Sequence, residues 1–323
     1  MMFLCLFEGH DGVSALTRER WLHHSLGSVS KTPPCAAVCE ALPQNEGGRA
    51  MAALAISTRH IVHEPTAPDL PFREEHFSYR FNDVSVPPAH AGIVLVDCWD
   101  IHITASHVER TGQICRERIR PVLDACREIG VTVIHAPSPP VAHKFPQWLR
   151  YAGDSELSPQ PQAAPAWPPE DFAKRRGEWA HLRVDRTDTW AAEIDQINED
   201  RYIDASVFPE PDDFVIANGQ QLHRLCAHRK LLFLFYVGFA TNLCVPHRDY
   251  GMLAMRDRGY GLILLRDCTT GIETSETIDG LLCTNVAIHD YELRDIAGTI
   301  TSAEFLSAAQ ALQTGAAVSV EAD

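Results

Sequence analysis

The chain has 323 residues, 45% of them hydrophobic and 22% charged, the balance of an ordinary soluble globular protein and not of a disordered or collagen-like one. Twenty-eight Lys and Arg stand against 43 Asp and Glu, a formal net charge of −15, which repels phosphate backbones and anionic bilayers; neither nucleic acid nor membrane is expected as a partner. No stretch reaches the roughly 18 to 20 apolar residues of a membrane span, and the ten cysteines are too sparse and irregular for a disulfide scaffold, so the expected setting is cytoplasmic and reducing.

Met1 to Phe7 is apolar but short, lacks a basic flank and runs into Glu8, a poor match to a signal peptide. Residues 1–88 show no sustained period and carry turn clusters such as Lys31-Thr32-Pro33-Pro34. They read as an N-terminal extension, partly irregular, whose first fifty residues have no fold of their own. From Ala91 the pattern changes. Ala91 to Val96 (AGIVLV) is a short continuous apolar run ending at Asp97, as in a strand buried on both faces. A helical stretch from about Thr104 to Ile129 follows, kinked or restarted near Pro121 and ended by Gly130. Further strands are expected at Val131–His135, Phe214–Ala217, Leu231–Gly238 and Gly261–Leu265, with helices at Gln220–Arg229, about Thr241–Asp257 and about Ser275–Arg294. Alternation of this kind implies right-handed crossovers and a mostly parallel sheet covered on both faces, an α/β fold of three layers. Between Ala136 and Asp213 a long interruption (about residues 137–212) is rich in Pro and Trp, which suits a lid or a subunit contact. Residues 314–323 form a tail.

Ligands of open parallel sheets bind beyond the carboxyl ends of the strands. There stand Asp97, Trp99, Asp100 and His102 after the first parallel strand, His135 and then Lys144 after the second, and Asn218 after the third. Gly238-Phe239-Ala240-Thr241-Asn242-Leu243-Cys244 follows the fourth, and Asp267 the fifth. Cys244 falls in the first turn of an expected helix capped by Thr241 or Asn242. A thiol in that position has its thiolate favoured by the dipole and the amides of the helix start, and those amides can also hold an oxyanion. The alternative is a buried structural cysteine.

GIVLVD at Gly92–Asp97, GFATNLCV at Gly238–Val245 and RDYGMLAMRDRGYGLILLRDCTTGIE at Arg248–Glu273 together resemble the isochorismatase-like cysteine hydrolases over roughly residues 88–313. The resemblance implies a Rossmann-like α/β/α fold in a homo-oligomer, with an Asp–Lys–Cys triad. It makes Asp97 the general base and Cys244 the nucleophile. It also places a cis peptide at Phe239–Ala240, which turns the Ala240 amide toward the site beside that of Cys244. Trp99, His102, Phe239 and Asn218 are candidates for contact with a small-molecule substrate. The family lysine normally follows the third parallel strand, where this chain has Asn218. Of the four lysines, Lys31 lies in the extension and Lys230 at the opposite end of the sheet, leaving Lys144 as the substitute with Lys174 behind it.

The function expected is cleavage of a C–N bond in a small amide, ureide or carbamoyl compound through a thioester, without metal or cofactor. A catalytically silent scaffold acting by oligomerisation or ligand binding is the alternative, and a hydrolase of another bond type a third reading. Asp97-Cys98-Trp99-Asp100 spaces its carboxylates three apart, one more than a haloacid-dehalogenase phosphatase does. Asp100, His102, His107 and His135 could suggest a metal cluster, but the nicotinamidase Asp-x-His lies further downstream, so solvent-facing or substrate-orienting histidines are expected. Asp267 serves either the site or a helix cap, and Cys35 and Cys39 lack the second pair a zinc finger needs.

Overall fold

A strand with helices packed on both its faces has no polar side, and every residue of Ala91–Val96 is buried. Ile93 and Leu95 point into one apolar cluster and Val94 and Val96 into the other, as alternation along a strand requires. In the computed structural model, which describes residues 52–64, 70–148, 167–173, 176–182 and 191–315, this strand lies inside a single eight-stranded sheet. The strands are β1 (Leu54–His63), β2 (Phe77–Val86), β3 (Ala91–Val96), β4 (Thr132–Ala136), β5 (Phe214–Val215), β6 (Phe233–Phe239), β7 (Gly261–Thr270) and β8 (Gly298–Ile300). The α-helices are α1 (Ala105–Ile114), α2 (Arg120–Ile129), α3 (Pro139–Ala142), α4 (Glu170–Ala173), α5 (Ala191–Asp200), α6 (Gly219–Arg229), α7 (Cys244–His247), α8 (Met252–Asp257), α9 (Leu282–Leu293) and α10 (Ser302–Thr314).

Spatial order is β2-β1-β8-β7-β6-β3-β4-β5. Pairings from β8 through β5 are parallel, and β1 is antiparallel to both its neighbours. Residues of α2 and α10 fill one cluster, and those of α6, α8 and α9 fill the other. That is the three-layer α/β/α architecture expected from the alternating pattern. From β3 the chain winds outward to β4 and β5, then returns to place β6 on the other side of β3. The crevice beyond the carboxyl ends of β3 and β6 is therefore the topological switch point, where ligands of such sheets bind.

Differences from the expected elements have local causes. The helix after β3 is indeed interrupted: a five-residue π-helical turn, Cys115–Ile119, joins α1 to α2, and Pro121 sits in the first turn of α2, where its missing amide costs nothing. Within the expected extension, β1 (Leu54–His63) and β2 (Phe77–Val86) form an antiparallel pair that extends the main sheet. Leu54, Ile56 and Val86 enter the core, and the Arg59 guanidinium on β1 meets the buried Glu292 carboxylate of α9 at 2.9 Å. The sequence does not single out β2, because its aromatic residues Phe77, Tyr79 and Phe81 are exposed while the opposite face is polar at Ser78, Arg80 and Asn82 and turns apolar only at Val84 and Val86. Residues 1–51 and the tail from 316 lie outside the described residues. The expected helix over about Thr241–Asp257 is two short ones, because Arg248 turns extended (ψ 156°) and Gly251 starts a new helix at α8. The stretch between β4 and β5 is described only in part. Within it Trp148 donates to Gln221 Oε1 at 3.2 Å, and the rings of Trp167 and Trp179 meet edge to face.

Candidate active site

Asp97 is the first residue beyond β3. Its N–H extends the ladder by one bond to Ala136 O (3.1 Å), and its own carbonyl accepts from Trp99 N–H (2.9 Å). This tight reversal holds Asp97 at φ 46°, a left-handed conformation that Asp tolerates better than most residues. Its carboxylate is buried, and so needs compensation. Compensation comes from Arg248, whose Nε and Nη2 donate to Asp97 Oδ2 at 3.0 and 2.8 Å, and from the Tyr250 hydroxyl, which donates to Oδ1 at 3.1 Å.

Cys244 comes from the adjacent strand. Val96 and Gly238 are paired across β3 and β6, the peptide between Phe239 and Ala240 is cis as the resemblance implied, and Leu243 and Val245 N–H both return to Ala240 O (3.0 and 3.2 Å). Cys244 then opens α7 and is buried. Thr241 and Asn242 do not cap this helix. The Thr241 hydroxyl pairs with that of Thr269 at 2.6 Å, and the Asn242 amide exchanges two bonds with the backbone of Ile272, both at 3.0 Å. Leu243 holds the N-cap position with no side-chain bond. A helix of four residues sums few peptide dipoles, so it supplies less positive potential than the long helix expected. Burial pushes the Tyr250 hydroxyl well above its ordinary value against the opposing charge of Arg248, so it remains a proton donor to Asp97.

A wall of rings continues from there. Trp99 stacks on His102 (6.3 Å between centroids, 16° between planes), His102 meets His107 edge-on at 5.4 Å, and His107 meets Phe239 at 6.2 Å. Trp99 Nε1 donates to Pro137 O at 2.7 Å, and the Arg201 guanidinium lies 3.8 Å above the Trp99 ring. Burial pushes His102 down to about 4, with help from the Arg201 charge, and His107 down to about 3, so both are neutral at pH 7. Arg110 braces this wall through Thr270 Oγ1 (2.8 Å) and Gly271 O (3.0 Å).

Lys144 does not pair with Asp97. Its ammonium donates to the carbonyls of Glu199 and of Arg201 (2.8 Å for the latter) and lies 4.4 Å above the Tyr202 ring, so it holds the chain after α5 in place. Lys174, its rival, lies outside the described residues, as do Cys35 and Cys39. Asn218 is the N-cap of α6, its Oδ1 accepting from Gln221 N at 2.9 Å. Phe239 is packed into the core and meets His107 nearly perpendicular to it. Asp267 caps α10 through Ser302 N–H and Oγ (2.7 and 2.6 Å), and His135 is buried against Asp213 (3.2 Å). Among the described residues no cluster of three or more His, Cys, Asp or Glu could hold a metal. Sequence reasoning missed Arg248 and Tyr250 as site residues, although both stand in the stretch that carried the resemblance; the usable signal was spacing, since Arg248 follows Cys244 by four.

Fold and site together define a doubly wound α/β protein with a carboxylate after β3 and a thiol in the segment after β6, at its switch point. The model of the isochorismatase domain matches residues 91–281, more than half of the chain, and the protein belongs to that family. Among solved structures it is similar to a cysteine hydrolase from Pseudomonas syringae pv. phaseolicola 1448A (16% identity, covering 70% of this chain and 95% of that one, TM-score 0.45). It is also similar to an isochorismatase from Pseudomonas putida KT2440 (15%, 67% and 90%, TM-score 0.37) and to a nicotinamidase from Staphylococcus aureus (10%, 65% and 99%, TM-score 0.35). No curated protein sequence matches it significantly.

Proposed function

We propose that this hydrolase cleaves a C–N bond of a small amide, ureide or carbamoyl compound with Cys244 as nucleophile and Asp97 as base. One observation carries the reading: Asp97 directly follows β3, and the segment that ends in Cys244 leaves the carboxyl end of β6, the strand paired with β3 through Val96 and Gly238. In the first step the S–H bond of Cys244 breaks as its proton passes to Asp97, and the sulfur pair forms a bond to the substrate carbonyl carbon. The Ala240 and Cys244 amides stabilise the carbonyl oxygen as it gains charge. As the tetrahedral species collapses, the C–N bond breaks and the nitrogen takes the proton from Asp97, leaving an acyl thioester and a free amine or ammonia. A water then gives one proton to Asp97 and its oxygen to the acyl carbon. The thiol is restored when the carboxylate returns that proton. Protein residues supply every group in this cycle. Trp99 and His102, on the aromatic wall, contact the substrate in this reading, and the enzyme works as a homo-oligomer in a reducing cytoplasm.

The silent-scaffold reading draws on the absence of a lysine at Asn218. A panel of small amides and ureides assayed for ammonia release separates the two. A substrate whose turnover disappears in Cys244→Ala supports the hydrolase, and turnover that survives that substitution refutes the nucleophile.

A further inference from the structure

We infer that Arg248 is the positively charged member of this site, a positioning residue doing for Asp97 and Cys244 what the resemblance expects of a lysine after the third parallel strand. The inference rests on the reading of Asp97 and Cys244 given above and adds to it the residue that sets their charge. The position where that lysine would stand is closed to the role, because Asn218 is spent capping α6. Lys144 is spent on backbone carbonyls, and Lys230 ends α6 in a left-handed turn before β6 begins.

Arg248 meets both reactive residues at once. Its backbone N–H donates to Cys244 O at 3.1 Å, closing the single turn of α7, while its guanidinium places two N–H donors on Asp97 Oδ2. The pair is nearly dry, with side-chain exposures of 16% for Arg248 and 1% for Asp97, and there a guanidinium acts through a low dielectric and is little screened by salt. One helical turn offers little dipole to a thiolate, so the full charge that Arg248 holds on Asp97 matters more here than in a site built on a long helix. Lone-pair accounting adds direction. A carboxylate has about four acceptor positions. Arg248 fills two on Oδ2 and Tyr250 one on Oδ1, so Oδ1, beside Tyr250, is the oxygen that receives the thiol proton. A guanidinium does not deprotonate in proteins, which confines proton traffic to Asp97, Cys244 and the substrate. A lysine could not guarantee that.

The test is the rate at which iodoacetamide alkylates Cys244, followed by peptide mass spectrometry across about pH 6 to 10, with thermal melts to establish folding. Arg248→Gln keeps a neutral donor for Asp97 and removes the charge. It is expected to slow labelling at neutral pH about tenfold and to raise the pH of half-maximal labelling by about one unit, the equivalent of that factor. Arg248→Lys restores the charge and recovers most of the rate. A folded Arg248→Gln protein that labels within twofold of the parent overturns the inference. So does a folded Arg248→Lys protein as slow as Arg248→Gln, since geometry and not charge would then be at work. If Arg248→Gln does not fold, Arg248→Lys decides alone: recovery supports the charge, a tenfold loss refutes it. Either failure leaves the Cys244→Ala result untouched, so this inference and the proposed reaction fall separately.

Discussion

Gly238 lies where β6 crosses Val96, one residue before Asp97, and an added methyl there has nowhere to go. Its φ is 104°, and a Cβ built on it would stand 2.1 Å from Val96 O, 2.8 Å from Val96 N and 2.9 Å from Val96 C. All three neighbours are backbone atoms held in the β3–β6 ladder, so none can rotate away. Forcing a side chain into that conformation costs about 1–3 kcal/mol, and overpacking against a fixed backbone about 1–3 kcal/mol more. Gly238→Ala is therefore expected to lose about 3–5 kcal/mol, a large part of a typical stability of about 5–15 kcal/mol. Gly130→Ala is the control. Its φ is also positive, 82°, but nothing lies within 4 Å of the added carbon, so only the conformational cost of about 1–2 kcal/mol applies. Urea denaturation of the two variants isolates the clash as their difference. Because the displaced backbone carries Asp97, Gly238→Ala should also slow Cys244 alkylation in folded protein, whereas Gly130→Ala should not. If Gly238→Ala proved within about 1 kcal/mol of Gly130→Ala, the close approach of β6 to Val96 would be wrong.

Stability should fall on acidification below about pH 6.5. His102 and His107 are held neutral in the fold, at about 4 and about 3, and so bind protons more readily once unfolded; their contribution is complete above the unfolded value and drains as pH drops toward 4, by up to about 1.4 kcal/mol per pH unit for each. Urea midpoints between about pH 7.5 and 4.5 measure this, and a His102→Gln/His107→Gln protein should show a shallower slope. Equal slopes would mean that the two rings are not buried as described. Arg59→Met should cost about 2–4 kcal/mol, because it leaves the buried Glu292 carboxylate without its counter-charge. A neutral result by thermal melting would detach β1 from the folded unit. Cys98, Cys126 and Cys268 should label far more slowly than Cys244, since a hydrogen bond with Cys115 and then burial push the Cys98 thiol up, and burial pushes up those of Cys126 and Cys268.

What could be read from the chain follows burial. The strand β3 is legible residue for residue because both its faces are apolar, and Asp97 follows from it as Cys244 follows from the apolar run that forms β6. The edge pair β1–β2 was invisible, since an edge strand needs one apolar face at most and the ring-bearing face of β2 looks outward. Three-residue β8 is too short to show a period. Within the site, the error over the cation has a clear source. Arg248 stands in a stretch that reads as one continuous helix, whereas α7 ends at this residue and its guanidinium reaches the Asp97 carboxylate at the end of β3, a contact between distant segments that spacing along one helix does not reveal. Lys144 was assigned by the loop it occupies, but a loop's path depends on contacts far along the chain, here the carbonyls near Arg201, that spacing alone does not reveal.

Trp99 illustrates how labour is divided in this molecule. Its ring is attached to β3, but what lies over it, Arg201, and what pairs with its backbone, Ile203, arrive from the chain between β4 and β5. That region is itself anchored on the frame, since Ile203 and Val207 enter the core beside Ile93 and Leu95 and Asp204 N–H donates to Cys98 O at 2.9 Å. If the proposed reaction holds, the stretch over Trp99 sets which compound is admitted, and variants of Arg201 change substrate preference before they change the chemistry.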